Sequence, residues 1–363
     1  MSSRSVLSKA LLAAGVTWLG IEAVQRLRED DLRGEVALVT GGSRGLGFLL
    51  AQELGRNGCR VAICARDWQE LEAAWADLTS EGIEVYPIVC DVADQAAVEE
   101  MVTRVTRHYG RIDILVNNAG IIQVGSVQNM TVADFQRAMD IIFWGTLYPT
   151  RAVLPQMLAR RCGRIVNITS IGGKVSVPHL LPYSAAKFAA TGFSEGLTAE
   201  LRSQGIYVTT VAPSTLRTGS HLQAQFAGQH DKEYAWFGLS ATLPLVSTDA
   251  EQAAREIVQA TKRRAAFHYV GWPAQLAARV HGLFPGFMTE LFALVIAYAM
   301  PAPTARPTAI RRGMEVEQHL PRTQRRVLET LMTLGQQAAQ HYHQYAGEPF
   351  DDHAPLWPER NRQ

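Results

Sequence analysis

The sequence predicts an α/β protein: a doubly wound parallel sheet of about seven strands with helices on both faces, and helical extensions at both ends. Three observations predict it. Seven short, largely β-branched apolar runs recur along the chain. The segments between them are long enough for crossover helices. The first run passes directly into a glycine-rich turn, "TGGSRGLG" (40–47), that opens an apolar stretch.

The runs, in order, are "EVALVT" (35–40), "RVAICA" (60–65), "EVYPIVC" (84–90), "IDILVNN" (112–118), "GRIVNITS" (163–170), "IYVTTVAP" (206–213) and "AFHYVG" (266–271). Each is nearly continuous in apolar residues, as a strand covered on both faces requires. Pro87 has no N–H to give a ladder, so the third strand belongs at an edge, where the order 3-2-1-4-5-6 puts it. After Gly271 the pattern changes. Residues 272–300 read as apolar and helical, and "PAPTARP" (301–307) as a linker. Residues 322–344 read as one more helix with Val327, Leu328, Leu331 and Leu334 on one side, and the chain from Gly347 as a loose polar tail. At the other end, Leu7, Leu11, Ala14, Trp18 and Ile21 recur at helical spacing. The uncharged stretch Ala10 to Ile21 is too short to span a membrane, so an amphipathic helix is expected, packed on a partner or lying on a membrane.

Composition narrows the function classes. The chain has 363 residues, 47% hydrophobic and 19% charged, as in ordinary globular proteins. A formal net charge of +1 supplies no field for nucleic acid, and no such partner is expected. Cys59, Cys64, Cys90 and Cys162 form no C-x-x-C pair and read as buried thiols in a reducing, cytoplasmic compartment. "HYHQY" (341–345) has no accompanying carboxylate or Cys set, so no metal is expected.

A glycine loop between strand and helix lets backbone approach a diphosphate, beside a helix N-terminus with unpaired N–H groups. Alone, it is equally a tight turn. Other segments add to it. "YSAAK" sets Tyr183 and Lys187 on one helical face. Ser170 ends a strand thirteen residues before Tyr183; "NNAG" (117–120) and "CDV" (90–92) end two others. With these motifs, residues 35–271 resemble the short-chain dehydrogenase/reductase family.

The resemblance implies a Rossmann-type catalytic domain over 34–272 with a substrate lid at 219–247, flanked by extensions at 1–33 and 273–363. It implies an oxidoreductase interconverting a carbonyl and an alcohol with a nicotinamide cofactor. Gly41, Ser43, Arg44, Gly45, Leu46, Gly47, Arg66, Asp91, Val92, Asn118, Tyr183, Lys187, Leu216 and Thr218 would hold that cofactor. Ser170, Tyr183 and Lys187 would be catalytic: Tyr183 as general acid/base, Lys187 lowering its pKa, Ser170 holding the substrate oxygen. A homo-oligomer, dimer or tetramer, is expected. NAD-preferring relatives carry an acidic residue where this chain has Ala65; Arg66 follows, and Arg44 lies in the loop. Two guanidinium groups suit a 2′-phosphate, so NADP(H) is the expected cofactor, with Asp67 pointing elsewhere.

Two positions depart from the pattern. Ile142, in "MDIIFWGT" (139–146), stands where the family often has an Asn that supports a helix distortion and a proton relay. Two readings follow: an active enzyme with a modified proton supply, or an NADP-binding regulatory or scaffold protein with little turnover. The retained Ser170, Tyr183 and Lys187 favour activity. Ser214, in "APSTLRT" (212–218), replaces a frequent Gly and narrows the backbone beside the nicotinamide pocket. In the lid, Phe226, Tyr234, Trp236, Phe237, Leu239, Leu243 and Leu245 either line a pocket for an apolar substrate or pack the lid onto the fold. Residues 281–300 could lie on a membrane surface near the cluster Arg306, Arg311, Arg312, Arg322, Arg325 and Arg326, or pack at a dimer interface.

Overall fold

Seven strands form at the seven runs: β1 (Val36–Thr40), β2 (Arg60–Ala65), β3 (Val85–Val89), β4 (Ile114–Asn117), β5 (Gly163–Ile168), β6 (Ile206–Pro213) and β7 (Phe267–Val270). They make one parallel sheet in the order β7-β6-β5-β4-β1-β2-β3. Pro87 sits on the edge strand β3, opposite Ile63. The computed structural model describes residues 29–244, 247–305 and 308–345. The helix expected around Leu7 to Ile21, the tail beyond Gly347, Leu245 and Arg306 lie outside the described residues.

The helices are α1 (Gly45–Arg56), α2 (Trp68–Ser80), α3 (Gln95–Tyr109), α4 (Val132–Ala138), α5 (Gly145–Arg160), α6 (Leu181–Leu201), α7 (His230–Thr242), α8 (Ala250–Lys262), α9 (Trp272–Leu283), α10 (Pro285–Ala299), α11 (Gly313–His319), α12 (Arg322–Leu331) and α13 (Thr333–His341). Side chains alternate across the strands, so each strand feeds two cores. Ala37, Val39, Val61 and Ile63 pack under α1, α2 and α8, with Leu50, Leu54, Leu71 and Ile257. Val36, Leu38, Ala62 and Cys64 pack under α3 and α5, with Val98, Met101, Val105 and Val153. Each fully buried aliphatic side chain contributes about 1.5–3 kcal/mol.

Two expectations need correction and a third gains detail. Residues 322–344 do not form one helix. The chain breaks at Met332, whose side chain is buried against Gly238 of α7, and resumes as α13. Only Leu328 of the expected apolar side joins the core; Val327, Leu331 and Leu334 are exposed. The apolar region 272–300 is helical, as expected, and forms two helices, α9 and α10, bent by 118° where Pro285 starts the second. Among the cysteines, Cys162 is exposed while Cys59, Cys64 and Cys90 are buried.

Charged residues staple the amino end of the sheet. Arg164 of β5, itself buried, donates to Glu35 at 2.6 and 2.9 Å and to Asp30 at 2.8 Å. Arg264 adds a 2.6 Å bond to Asp30. Burial works against ionisation of Asp30, but the two arginines outweigh it and hold its carboxyl at about 2. That pKa lies below its ordinary 3.8, so the stabilisation is full above pH 4 and is lost as pH falls towards 2. Replacing Arg164 by Met leaves Glu35 without its partner and Asp30 with Arg264 alone. Urea unfolding at pH 7 should show a loss of about 3–5 kcal/mol, and the gap from the natural protein should narrow below pH 4.

Candidate active site

The carboxyl ends of the parallel strands open onto one cleft of ≈ 540 Å³. At one end of it lie Arg44, Arg66, Glu70 and Asp91; at the other lie Ser170, Tyr183 and Lys187 with Trp236 and Phe237. Every residue expected to hold the cofactor or to be catalytic lines this cleft: Gly41, Ser43, Arg44, Gly45, Leu46, Gly47, Arg66, Asp91, Val92, Asn118, Ser170, Tyr183, Lys187, Leu216 and Thr218.

Asn118 fastens the glycine loop. Its side-chain amide donates to the carbonyls of Thr40 and Gly41 at 3.0 and 3.1 Å. The Thr40 hydroxyl accepts from the N–H groups of Asn118 and Ala119 at 3.0 and 3.1 Å. Gly41 turns the chain with φ +63°, and a Cβ there would meet Ala119 Cα at 2.9 Å. A Cβ on Gly47 would collide with the Gly41 carbonyl and with Asn118, so the cradle exists only with Gly at both positions. No side chain caps α1, whereas Asp67, Asp94 and Asp249 cap α2, α3 and α8. A loop of this shape ahead of a helix without a side-chain cap fits a dinucleotide's diphosphate.

Glu70, which carries no motif, organises the end of the cleft that holds Arg44 and Arg66. Its buried carboxylate accepts from Ser43 Oγ at 3.0 Å and pairs with Arg44. Burial raises its pKa, and Arg44 and Ser43 pull it back. Arg66 lies 3.9 Å from Asp91. Asp67 is occupied in capping α2, accepting from the N–H groups of Gln69 and Glu70.

At the other end, Lys187 is buried and donates from Nζ to the Ile168 carbonyl at 2.7 Å. Desolvation brings its ammonium down to about 8. Its Nζ lies 5.7 Å from the centre of the Tyr183 ring. The expected lowering of Tyr183 by Lys187 is not what the structure shows. Burial raises the phenol, and the opposing pull comes from its hydrogen bond with Ser170. Ser170 Oγ also accepts from the Gly172 N–H at 3.0 Å, which fixes its rotamer. Ser214 sits in an ordinary backbone conformation and bonds Thr248 at 2.9 Å, so the chain accepts Ser here without strain.

Ile142 lies in a π-helical segment, Met139–Trp144, between α4 and α5. The distortion is present without an Asn. Ile142 packs with Ala138, Ala186 and Ala190 and against Tyr183, and its carbonyl accepts from Thr146 Oγ1 at 2.8 Å. Apolar packing therefore holds the bend.

The aromatic residues of 219–247 divide. Phe226 and Tyr234 are core, packed with Val316, Leu320 and Met332 of the C-terminal extension. Phe237 packs there and also lines the cleft, as does Trp236. Glu233 positions Trp236, accepting from its indole N–H at 2.7 Å while bonding buried His179 at 2.8 Å. Leu243 is exposed.

A doubly wound sheet with a glycine loop at its carboxyl edge defines a Rossmann-type nucleotide-binding fold. The chain belongs to the short-chain dehydrogenase/reductase family: residues 35–226 match the short chain dehydrogenase model. It is 38% identical over 211 residues to "Dehydrogenase/reductase SDR family protein 7-like" of Drosophila melanogaster, covering 57% of this chain and 64% of that protein. It is 39% identical over 186 residues to a "Putative ketoacyl reductase" of Streptomyces coelicolor, covering 51% of this chain and 71% of that one. A crystal structure of a variant actinorhodin polyketide ketoreductase with NADPH superimposes with a TM-score of 0.57 at 31% identity, over 65% of this chain and 95% of that one.

The packing of Ile142 generates a prediction. Ile142→Asn puts an amide among three alanines, with no partner built for it. A loss of about 1–3 kcal/mol is expected, read as a lower midpoint in chemical denaturation. An unchanged midpoint would mean that the pocket already suits an amide.

Proposed function

We propose that the protein is an NADP(H)-dependent oxidoreductase that interconverts a carbonyl and an alcohol on an apolar substrate. One observation carries the reading: a single cleft has Ser170, Tyr183 and Lys187 at one end and Arg44 and Arg66 at the other. When bound, the nicotinamide supplies the hydride. The chain's own residues do the rest. Tyr183, a phenol that burial keeps protonated, donates its proton to the carbonyl oxygen. Ser170 holds the same oxygen. Lys187 spends one N–H on Ile168 and has two left for the ribose and the proton path. Arg44 and Arg66 take the 2′-phosphate, with Ser43 and Glu70 fixing Arg44. Gly41, Gly45, Leu46 and Gly47 face the diphosphate, Asp91, Val92 and Asn118 the adenine side, and Leu216 and Thr218 the nicotinamide side.

Ile122, Val177, Leu180, Trp236 and Phe237 make the substrate end apolar. The names of the Streptomyces relative and the structural neighbour, both ketoreductases, support a ketone on such a substrate. The π turn kept around Ile142 supports turnover over the silent-scaffold reading. Catalytic work falls to 34–272, with 219–247 as the lid. The test is NADPH oxidation against a panel of apolar ketones. Tyr183→Phe should lower the rate by about 10²–10⁴-fold; equal rates for both proteins would leave only cofactor binding.

A second reading concerns α9 and α10. Trp272, Leu283, Phe284, Phe287, Leu294 and Tyr298 are all exposed there, a larger apolar surface than a monomer ordinarily shows. No single described helix is long and apolar enough to cross a membrane; the bent pair is so only together. We infer that this pair rests on a lipid surface as a peripheral contact. The protein should float with phospholipid vesicles, and Phe284→Ser with Phe287→Ser should release it. A vesicle-free dimer that the same changes dissociate would assign the surface to a second copy instead.

A further inference from the structure

The family model ends at Phe226, but the cleft does not. Two side chains from the C-terminal extension line it, Arg312 and Gln344. Each is held there by backbone pairing.

Arg311–Arg312 adds antiparallel to the short strand Gln225–Phe226, which pairs in turn with Gln123–Val124. This brings the Arg312 guanidinium into the field of Arg44, Glu315, Glu70 and Arg137. After burial, Arg44 is the largest influence pushing Arg312 down, and it pushes Arg66 the same way. Glu70 offsets Arg44, and Asp91 stands by Arg66. Three guanidinium groups on one part-buried wall still repel one another, and an anion among them relieves that repulsion. Arg312 therefore does not belong with the headgroup-facing cluster suggested by its neighbours in sequence.

Residues 342–344 cross the glycine loop. The Gly45 N–H donates to the Tyr342 carbonyl at 2.9 Å. His343 packs edge-on against Phe48 of α1 and reaches Asp77 of α2 at 3.1 Å. The Gln344 carbonyl accepts from Gln223 Nε2 at 2.7 Å. The Gln344 side chain is buried against Gly45. A Cβ on Gly45 would stand 2.7 Å from Gln344 Nε2 and 3.8 Å from Thr218 Cβ. Gln344 thus lies over the glycine loop where Gly45 comes nearest to Thr218, on the side of the cleft where the diphosphate of a dinucleotide would run.

We propose that the C-terminal extension completes the cofactor site, with Arg312 as a third guanidinium for the 2′-phosphate and the Gln344 carboxamide as a donor over the diphosphate. This rests on the NADP(H) reading above. The test is fluorescence titration of the full-length protein with NADPH and with NADH. Arg312→Gln should weaken NADPH about tenfold, or about 1.4 kcal/mol, and leave NADH within about twofold, and Arg312→Lys should recover part of the loss. Gln344→Glu, nearly isosteric, sets a carboxylate against the diphosphate and should weaken both nucleotides by a similar factor of about ten or more. Melting of each variant without nucleotide checks the fold. If Arg312→Gln weakens both nucleotides alike or neither, or Gln344→Glu weakens neither, the proposal is overturned. A natural protein that binds NADH as tightly as NADPH, or binds neither, would instead overturn the reading beneath it.

Discussion

The Asn118 side chain is the constraint on which the site depends. One amide group holds the carbonyls of Thr40 and Gly41, and the Thr40 hydroxyl returns the tie to the backbone of Asn118 and Ala119. These bonds join the ends of β1 and β4, parallel neighbours in the sheet, at the point where the strand order reverses. A parallel sheet delivers every strand's carboxyl end to one edge, but it does not fix where a loop beyond that edge goes. Asn118 does so for the glycine loop. Gly47 can then sit against the Gly41 carbonyl only because it has no side chain, and Gly41 against Ala119 for the same reason.

The other end of the cleft is placed by a second polar chain, this one wholly inside the protein. Asn117 bonds Thr150 and Asn167 at 3.0 and 2.8 Å; Asn167 bonds Ser194 at 2.9 Å; Ser194 bonds Thr210 at 2.7 Å. It ties β4, β5 and β6 to α5 and α6, and α6 carries Tyr183 and Lys187. Buried amides and hydroxyls have narrow geometric tolerance and cost free energy when unpaired. They therefore set the depth and rotation of α6 more strictly than apolar packing alone. The 2.7 Å bond from Lys187 to Ile168 closes the same arrangement at the active edge.

Much of this was readable in the sequence, for physical reasons. The strands are two-faced and therefore written as apolar runs, and Pro87 marks its edge by lacking a hydrogen. The motif residues are contiguous or one helical turn apart, so their clustering needs little more than the right fold. Glu70 was not readable, because its role depends on which way the first turn of α2 faces. The π turn at Ile142 was hidden because it is held by methyl groups on α6, distant in sequence. Nor could the roles of Phe226 and Tyr234 be separated from that of Trp236 before Val316 and Met332 were seen to pack on them. The break at Met332 has the same origin: local helical periodicity gave way to one side chain's burial under α7.

The bond between Gly45 and Tyr342 has a kinetic consequence. It closes a loop of about 300 residues, while β1, β2 and β4 assemble from segments much nearer one another. Long closures carry the larger entropic barrier and so come late in folding. The sheet and the glycine turn can thus form early, whereas the wall over them is among the last pieces laid. A chain caught before that step would have native-like secondary structure and an open nucleotide groove, with the core side chains of α7 and Met332 still exposed to water.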